Sequence, residues 1–263
     1  MPAPSIPRPT VLLCENCGYP LSSLDEQHAC PECGTPAVES DPARRIGPLW
    51  HNRPGPGAWI DIALALLTKP GRFFRDLKLG GSNVMPRLFL LSIACLVGGG
   101  WALSESLWND RHAPIAWGLG MLAAKAVLLL SYLEALGVTF FSWRRGWRVP
   151  FRLAERVVCY ASFGWVPAAI GLILLNSAWQ SGALADAIRP WLPAAGVFPA
   201  ASLVPAVFIA VGGVLILGFE AWVYVGVRHV RYANPPNAHP SHLKSVPATS
   251  QTSRLDAERS ENV

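Results

Sequence analysis

The sequence predicts a mainly α-helical fold, a polytopic membrane bundle of about four spans with a small cysteine-rich module at its N-terminus. Of the 263 residues, 51% are hydrophobic and 15% are charged, whereas a soluble domain carries about 25% charged residues. The charges cluster before residue 88, around 144–156 and after 228, and long apolar runs separate these clusters. This distribution is typical of a membrane protein with several spans.

The N-terminal module, residues 11–36, contains two Cys-x2-Cys pairs, Cys14 with Cys17 and Cys30 with Cys33. Two such turns bring four thiolates around one ion at tetrahedral geometry. A glycine follows each pair, and glycine permits the positive φ that these turns need. The pattern predicts a zinc ribbon with one structural Zn2+ ion per chain and a short β-hairpin between the pairs. Four thiolates close the coordination shell, which is typical of a structural site.

Other interpretations of the module are less favoured. A disulfide pair conflicts with the reducing compartment in which the orientation below places the module. His28 could be an alternative ligand, but four cysteines already complete a zinc site. Residues 11–36 contain no Lys or Arg, so no nucleic-acid partner is expected. Cys95 and Cys159 lie within apolar spans and are interpreted as small hydrophobic residues.

The segments around the module and before the spans differ in composition. Residues 1–10 are rich in proline and residues 233–263 are rich in Ser, Pro, Asn and His, so both are predicted to be disordered. Residues 37–57 are predicted to form a Pro/Gly linker. Residues 58–82 predict two short amphipathic helices, broken at Pro70, that lie at the membrane interface. Packing of these helices on the bundle is an equally favoured alternative.

Four spans are predicted in a transmembrane domain covering residues 83–232, because each has the roughly 20 apolar residues that cross the hydrocarbon. Pro167 is predicted to kink the third span. A segment at 190–202 could be a fifth span, a re-entrant segment or a loop, and the charge distribution favours a loop or interfacial segment. The four spans are predicted at about 86–106, 117–143, 153–175 and 203–227.

Basic residues near the ends of the spans predict the orientation. Only Arg111 and Arg189 lie on one side. The opposite side carries Lys69, Arg72, Arg75, Lys78 and Arg87 before span one, Arg144, Arg145, Arg148, Arg152 and Arg156 between spans two and three, and Arg228 and Arg231 after span four. Cytoplasmic loops carry the excess of Lys and Arg. The sequence therefore predicts a multi-pass protein of the cell (cytoplasmic) membrane with both termini in the cytoplasm.

Glu134 lies inside the second predicted span and Glu220 inside the fourth. Ionisable residues within spans are functional candidates. The two spans run in the same direction and place both residues at similar depth, so one site could hold both and handle a proton or a cation. The favoured alternative is that each is protonated or hydrogen-bonded within the bundle. Glu155 and Arg156, at the inner boundary, are given no special role.

Two stretches carry family resemblances. The stretch CENCGYPL…HACPECGTP resembles the small zinc ribbons that begin many bacterial membrane proteins. The stretches LLTKPGRFFRDLKLGG and YLEALGVTFFSWRRGWRVPFRLAERVVCYASFGWVPAAIG resemble the Yip domain, a multi-span family with members associated with trafficking and membrane shaping. This resemblance implies a helical bundle without catalytic function.

Together these features predict a non-enzymatic membrane scaffold or adaptor. Its partners would be the lipid bilayer and a protein that docks on the zinc ribbon. No hydrolase, metalloprotease or phosphate-loop motif is found in the sequence. The alternative function is a proton- or cation-handling transporter that uses Glu134 and Glu220.

Overall fold

The computed structural model describes residues 11–21, 28–51, 53–108, 113–183, 186 and 200–235. The predicted disordered segment 1–10, nearly all of the predicted tail and most of segment 190–202 lie outside these ranges. Seven α-helices lie within the described residues: α1 (Pro56–Thr68), α2 (Pro70–Arg75), α3 (Val84–Trp108), α4 (Ala113–Arg145), α5 (Phe151–Ala161), α6 (Trp165–Gln180) and α7 (Ala200–Val230).

Four helical stretches are long and apolar enough to cross a membrane, which confirms the mainly α-helical, four-span fold class. Large apolar side chains cover their outward faces, and Leu122 and Leu129 of α4 are more than 60% exposed. Monomeric soluble proteins rarely expose apolar patches of this extent, so these faces are suited to lipid contact. The stretches are Val84–Leu107, Pro114–Arg145, Phe151–Gln180 and Ile209–Val230.

The third span consists of two helices, α5 and α6, joined by a 3-10 turn at Ser162–Gly164. The interruption of the α-helix therefore lies before Pro167, and the predicted kink at Pro167 stays a prediction. Pro167 falls in the first turn of α6, where proline is tolerated because the N–H it lacks would have no helical partner. Gly164 lies against α7, and a Cβ there would be 2.7 Å from a ring carbon of Trp222. The turn thus coincides with a close helix contact.

Helix α5 forms the centre of the bundle. Its residues from Leu153 to Ala161 are all buried, and it packs against α3, α4 and α7. The ring of Tyr160 lies 5.2 Å from Phe73 and 5.4 Å from Phe89, measured between centroids. Edge-to-face and tilted aromatic pairs at these distances are favourable. The core therefore joins the spans to α2.

Helices α3 and α4 approach each other through glycines. A Cβ on Gly98 would lie 2.5 Å from the carbonyl oxygen of Gly120, which is inside the distance that real Cβ atoms keep. Small residues at such crossings let two membrane helices approach closely. The neighbouring Gly99 has open space around it, so the requirement for glycine is specific to one face.

The amphipathic segment before the spans forms α1 and α2, which break at Pro70. Ile62, Leu66 and Phe74 are buried in the core, and the indole N–H of Trp59 donates to a serine hydroxyl of α3 at 2.9 Å. The segment therefore packs on the bundle, as one of the two predicted arrangements has it. Its location relative to a membrane surface stays a prediction.

Candidate metal centre and its contacts with the bundle

The four cysteines of the N-terminal module come together at one point. Their Sγ atoms all lie within 4.8 Å of one another, with Cys14 3.5 Å from Cys33 and Cys17 3.6 Å from Cys30. A tetrahedral site with Zn–S bonds of about 2.3 Å would separate its sulfur atoms by about 3.8 Å. These separations exceed the length of a disulfide bond, about 2.05 Å. The arrangement therefore fits four thiolates around one metal ion.

Both Cys-x2-Cys turns have the same backbone geometry. In each, the amide of the following glycine donates to the carbonyl of the first cysteine at 2.8 Å, Gly18 to Cys14 and Gly34 to Cys30. Gly18 has φ of 82° and Gly34 has φ of 72°, values that residues with a Cβ rarely adopt. The glycines after each pair thus fulfil the role that the sequence pattern predicted.

The predicted β-hairpin is not found in the described part of the module. Two isolated antiparallel bridges, Leu13 with Pro20 and Ala29 with Pro36, are present instead. Each bridge closes its own cysteine turn, so pairing is local and does not link the two pairs. Residues 22–27, between the turns, lie outside the described residues.

The two turns differ in their surroundings. At Gly18 in the first turn, a Cβ would lie 2.8 Å from the ring of Tyr232, just after α7, whereas at Gly34 nothing lies within 4 Å. Pro31 and Glu32 in the second turn are exposed. The first turn therefore faces the bundle and the second turn faces outward.

The pKa values of two thiols in the cluster are shifted in opposite directions by their surroundings. Burial raises the pKa of Cys17 to about 12. Hydrogen bonds to the side chain and backbone of Thr35 lower the pKa of Cys33 to about 6. A coordinated thiol is deprotonated by the charge of the metal ion itself, so an ion at this position would offset the effect of burial on Cys17.

Asn234, four residues after α7 ends, joins the module to the bundle. Its side chain is fully buried. Its Oδ1 accepts from the amide of Leu13 at 2.9 Å, and its Nδ2 donates to the carbonyls of Leu13 at 2.8 Å and Ser40 at 2.9 Å. The side-chain amide therefore pairs with both polar backbone groups of Leu13, one residue before the first cysteine. Asn234 falls in the segment that the sequence predicted as a disordered tail.

Arg45 makes a second connection, from within the predicted linker. Its guanidinium, 4% exposed, forms an ion pair with Glu15 at 2.6 Å and also donates to the carbonyls of Phe74 and Leu77 at 3.5 and 3.3 Å. Burial raises the pKa of Glu15, and the charge of Arg45 opposes this shift. One arginine thus bridges the module to α2 and the loop after it.

Two further arginines hold the backbone of the module. Arg148, in the loop between α4 and α5, donates to the carbonyl of Val11 at 2.8 Å. Arg231, after α7, donates to the carbonyl of Asn16 at 3.0 Å. These contacts place the module at the end of the bundle where α4 and α7 end and α5 begins. The N-terminal module and the end of α7 therefore lie on the same side of the spans.

Arg156 of α5 is a buried residue whose role the sequence analysis missed. Its side chain is 2% exposed, and it donates to Oδ1 of Asn83 at 2.7 and 3.0 Å. It also donates to the carbonyls of the connection between α2 and α3, those of Lys78, Gly80, Gly81 and Ser82. An Arg supplies five N–H donors in a fixed plane, and here they hold an irregular segment against the central helix.

Glu155, the neighbour of Arg156, is equally buried at 1% exposed. It accepts two hydrogen bonds from Arg87, at 2.7 and 3.1 Å, and one from Asn83 at 2.7 Å. The interpretation that Glu155 and Arg156 need no special role was therefore wrong. The available signal was an adjacent Glu and Arg followed at once by the apolar run Val157–Ala161, since charges buried at such a position need partners.

Glu134 of α4 and Glu220 of α7 are partly buried and interact electrostatically with each other. Within the described part of the chain, neither side chain has a hydrogen bond or ion pair. The hydrogen-bonded form of the favoured alternative thus finds no partner among these residues, and its protonated form stays a prediction. A shared function for the two glutamates stays a prediction.

Comparison of the chain with models of protein families, with curated proteins and with solved structures gave no match. The Yip-domain resemblance therefore rests on the quoted sequence stretches alone. The structure supports a coarser conclusion, that the chain is a membrane protein with four apolar helices and a four-cysteine cluster suited to a metal ion.

Proposed function

We propose that the protein is a non-enzymatic membrane scaffold or adaptor whose docking module is folded around one structural zinc ion. The observation that carries this proposal is the four-thiol cluster on a module with two different faces. One face is bonded to the helical bundle and the other, around Pro31 and Glu32, is exposed. Such a module offers a fixed surface to a partner.

The ligand set favours zinc. Thiolates select Zn2+, Cu+ and iron–sulfur clusters, and four thiolates at tetrahedral spacing suit zinc or iron. Four protein ligands leave no open position for water or substrate, so the ion would have a structural role. The module has a small core of its own, including Leu12 and Leu21, so metal binding would supply much of its folding free energy.

Metal analysis of the purified full-length protein tests the ion. We expect close to one zinc per chain and loss of zinc on Cys14→Ser or Cys30→Ser. Cys159→Ser, which alters an equally buried cysteine in α5, is the matched control and should retain zinc. Protein with native helix content that contains no zinc, or contains iron in its place, refutes the zinc assignment.

The exposed second turn is the proposed partner-binding face. A photo-crosslinking amino acid at Glu32 is expected to capture a protein from the membrane or the cytosol. The same amino acid at Asp61, an exposed acidic position on α1, serves as the control. A product that forms equally at both positions, or at neither, argues against an adaptor role.

The basic end of the bundle is proposed to lie in the cytoplasm, because cytoplasmic loops carry the excess of Lys and Arg. Reporter fusions at about residues 147 and 240 should report the cytoplasm and those at about 110 and 190 the opposite side. A cytoplasmic signal from the fusion at 190 would contradict the four-span topology.

Transport of protons or cations is the second candidate function. It is favoured by the electrostatic interaction of Glu134 and Glu220 within the spans and by the lack of other partners among the described residues. Flux into proteoliposomes should fall on combined Glu134→Gln and Glu220→Gln substitution. Glu105→Gln is the control, since Glu105 is a span carboxylate that accepts from Asn176 at 2.9 Å. Absence of flux in the unsubstituted protein excludes this candidate.

A further inference from the structure

A cavity of about 730 Å³ lies at the basic end of the bundle, where α4 ends and α5 begins. Its wall includes two tryptophans of this region, Trp143 and Trp147, and three arginines, Arg148, Arg152 and Arg156. No acidic residue is found among the described residues that line it. The cavity thus combines an apolar wall with a purely positive set of charges.

The side chains of the three arginines differ in how many hydrogen bonds they already make within the protein. Arg156 is fully engaged with the connection between α2 and α3, and Arg148 is buried and donates to Val11. Arg152 is exposed, and its side chain makes no hydrogen bond or ion pair with any described residue. One guanidinium at the cavity is therefore available to an external ligand.

The backbone adds to the positive potential at this position. Helix α5 begins at Phe151, and Pro150 before it supplies no side-chain hydrogen bond to cap the helix. A helix N-terminus carries a partial positive charge and unpaired N–H groups. Together with the arginines, this favours an anionic group.

The apolar part of the cavity adjoins the lipid-facing surface of α4. Thr139 and Trp143 line the cavity, and the residues between them include Phe140 and Phe141, which are more than half exposed. Aromatic residues at the ends of spans mark the level of the lipid headgroups. A ligand with a charged group at Arg152 and an apolar chain along α4 matches this geometry.

We propose that this cavity binds one anionic phospholipid, with the phosphate at Arg152 and an acyl chain against the exposed face of α4. Basic pockets at the ends of membrane helices bind anionic headgroups in this way. The segment that follows Pro235, a residue that also lines the cavity, is a weaker candidate for its occupant. Residues 236–263 contain three basic and three acidic residues, so the segment has no excess of negative charge to match the arginines.

Native mass spectrometry of the full-length protein in detergent tests the proposal. Phosphatidylglycerol is expected to bind more tightly than phosphatidylcholine, and Arg152→Gln should weaken phosphatidylglycerol binding about fivefold. Arg144→Gln removes an exposed charge at the C-terminal end of α4, outside the cavity, and should change the affinity little. Helix content and metal content of each variant verify the fold.

Three outcomes would overturn the proposal. Equal binding of both lipids means that the cavity does not select an anionic headgroup. Equal losses on Arg152→Gln and Arg144→Gln mean that surface charge in general, and not this cavity, attracts the lipid. Displacement of phosphatidylglycerol by millimolar inorganic phosphate means that the site recognises a free anion and not a lipid.

Discussion

Replacement of Asn234 by alanine is expected to release the cysteine module from the bundle. The substitution removes three side-chain hydrogen bonds, two to Leu13 and one to Ser40. Each is worth about 1 kcal/mol net, so docking should lose about 3 kcal/mol, a factor of roughly 100 in the docking equilibrium. The buried backbone amide of Leu13 would also lose its hydrogen-bond partner, so about 3 kcal/mol is a lower bound on the loss of docking free energy.

Hydrogen–deuterium exchange measured on peptides covering residues 11–21 reports the effect. We expect faster exchange in these peptides in Asn234→Ala, with unchanged exchange in α3 and α4. Asn16→Ala is the matched control, because the Asn16 side chain is exposed and its hydrogen bonds, to Thr35 at 3.4 Å and to Cys33, stay within the module. The same substitution there should leave exchange unchanged.

Two results would refute the reasoning. Unchanged exchange in residues 11–21 of Asn234→Ala would mean that this amide does not hold the module. Loss of the metal ion from the same variant would mean that the cysteine cluster depends on docking of the module. This is not expected, because all four cysteines lie within residues 14–33 and none of their side chains contacts Asn234 in the described structure.

Three further predictions concern stability. Arg156→Met should lower the free energy of unfolding, measured by thermal melts in detergent, by about 3–5 kcal/mol because it leaves buried acceptors unpaired. Arg152→Gln, one helical turn earlier, is the control and should change this free energy by no more than about 0.5 kcal/mol. Similar losses in both variants would contradict the hydrogen bonds assigned to Arg156. Gly98→Ala should cost about 1–3 kcal/mol by forcing α3 from α4, and Gly99→Ala should not; equal effects would exclude the close crossing. Chelation of the metal should speed hydrogen–deuterium exchange throughout residues 11–21 and leave the far-ultraviolet circular dichroism signal of the helical spans unchanged. A large loss of that helix signal would show that the bundle itself requires the ion.

The spans could be predicted from the sequence because their determinants are local. A run of roughly 20 apolar residues is sufficient to predict a membrane helix, and Val84–Trp108 contains the predicted span 86–106. The cysteine cluster was equally accessible, because two short turns with a glycine after each fix the positions of their own thiols. In both cases residues close in sequence carry the information.

The contacts between the module and the bundle could not be predicted in this way. Asn234 and Leu13 are 221 residues apart in sequence, and nothing near Asn234 distinguishes it from the polar segment that follows. Composition therefore placed it in a disordered tail. The burial of Glu155 and Arg156 was missed for a related reason, since a charge at the end of a span normally reaches water or headgroups and only the packing of α5 among its neighbours prevents this.

Metal binding by the cysteine module and docking of the module on the bundle involve different ranges of the chain. The two steps can therefore occur one after the other. The four cysteines lie within 20 residues of one another, from Cys14 to Cys33, so the proposed metal ion could be bound as soon as the module has been synthesised. The partners Arg148, Arg231 and Asn234 lie 137 to 221 residues further on. Docking through Arg231 and Asn234 must therefore wait until the fourth span has been synthesised. A variant that retains its metal ion while the module exchanges rapidly would isolate this undocked intermediate, and Asn234→Ala is the substitution expected to produce it.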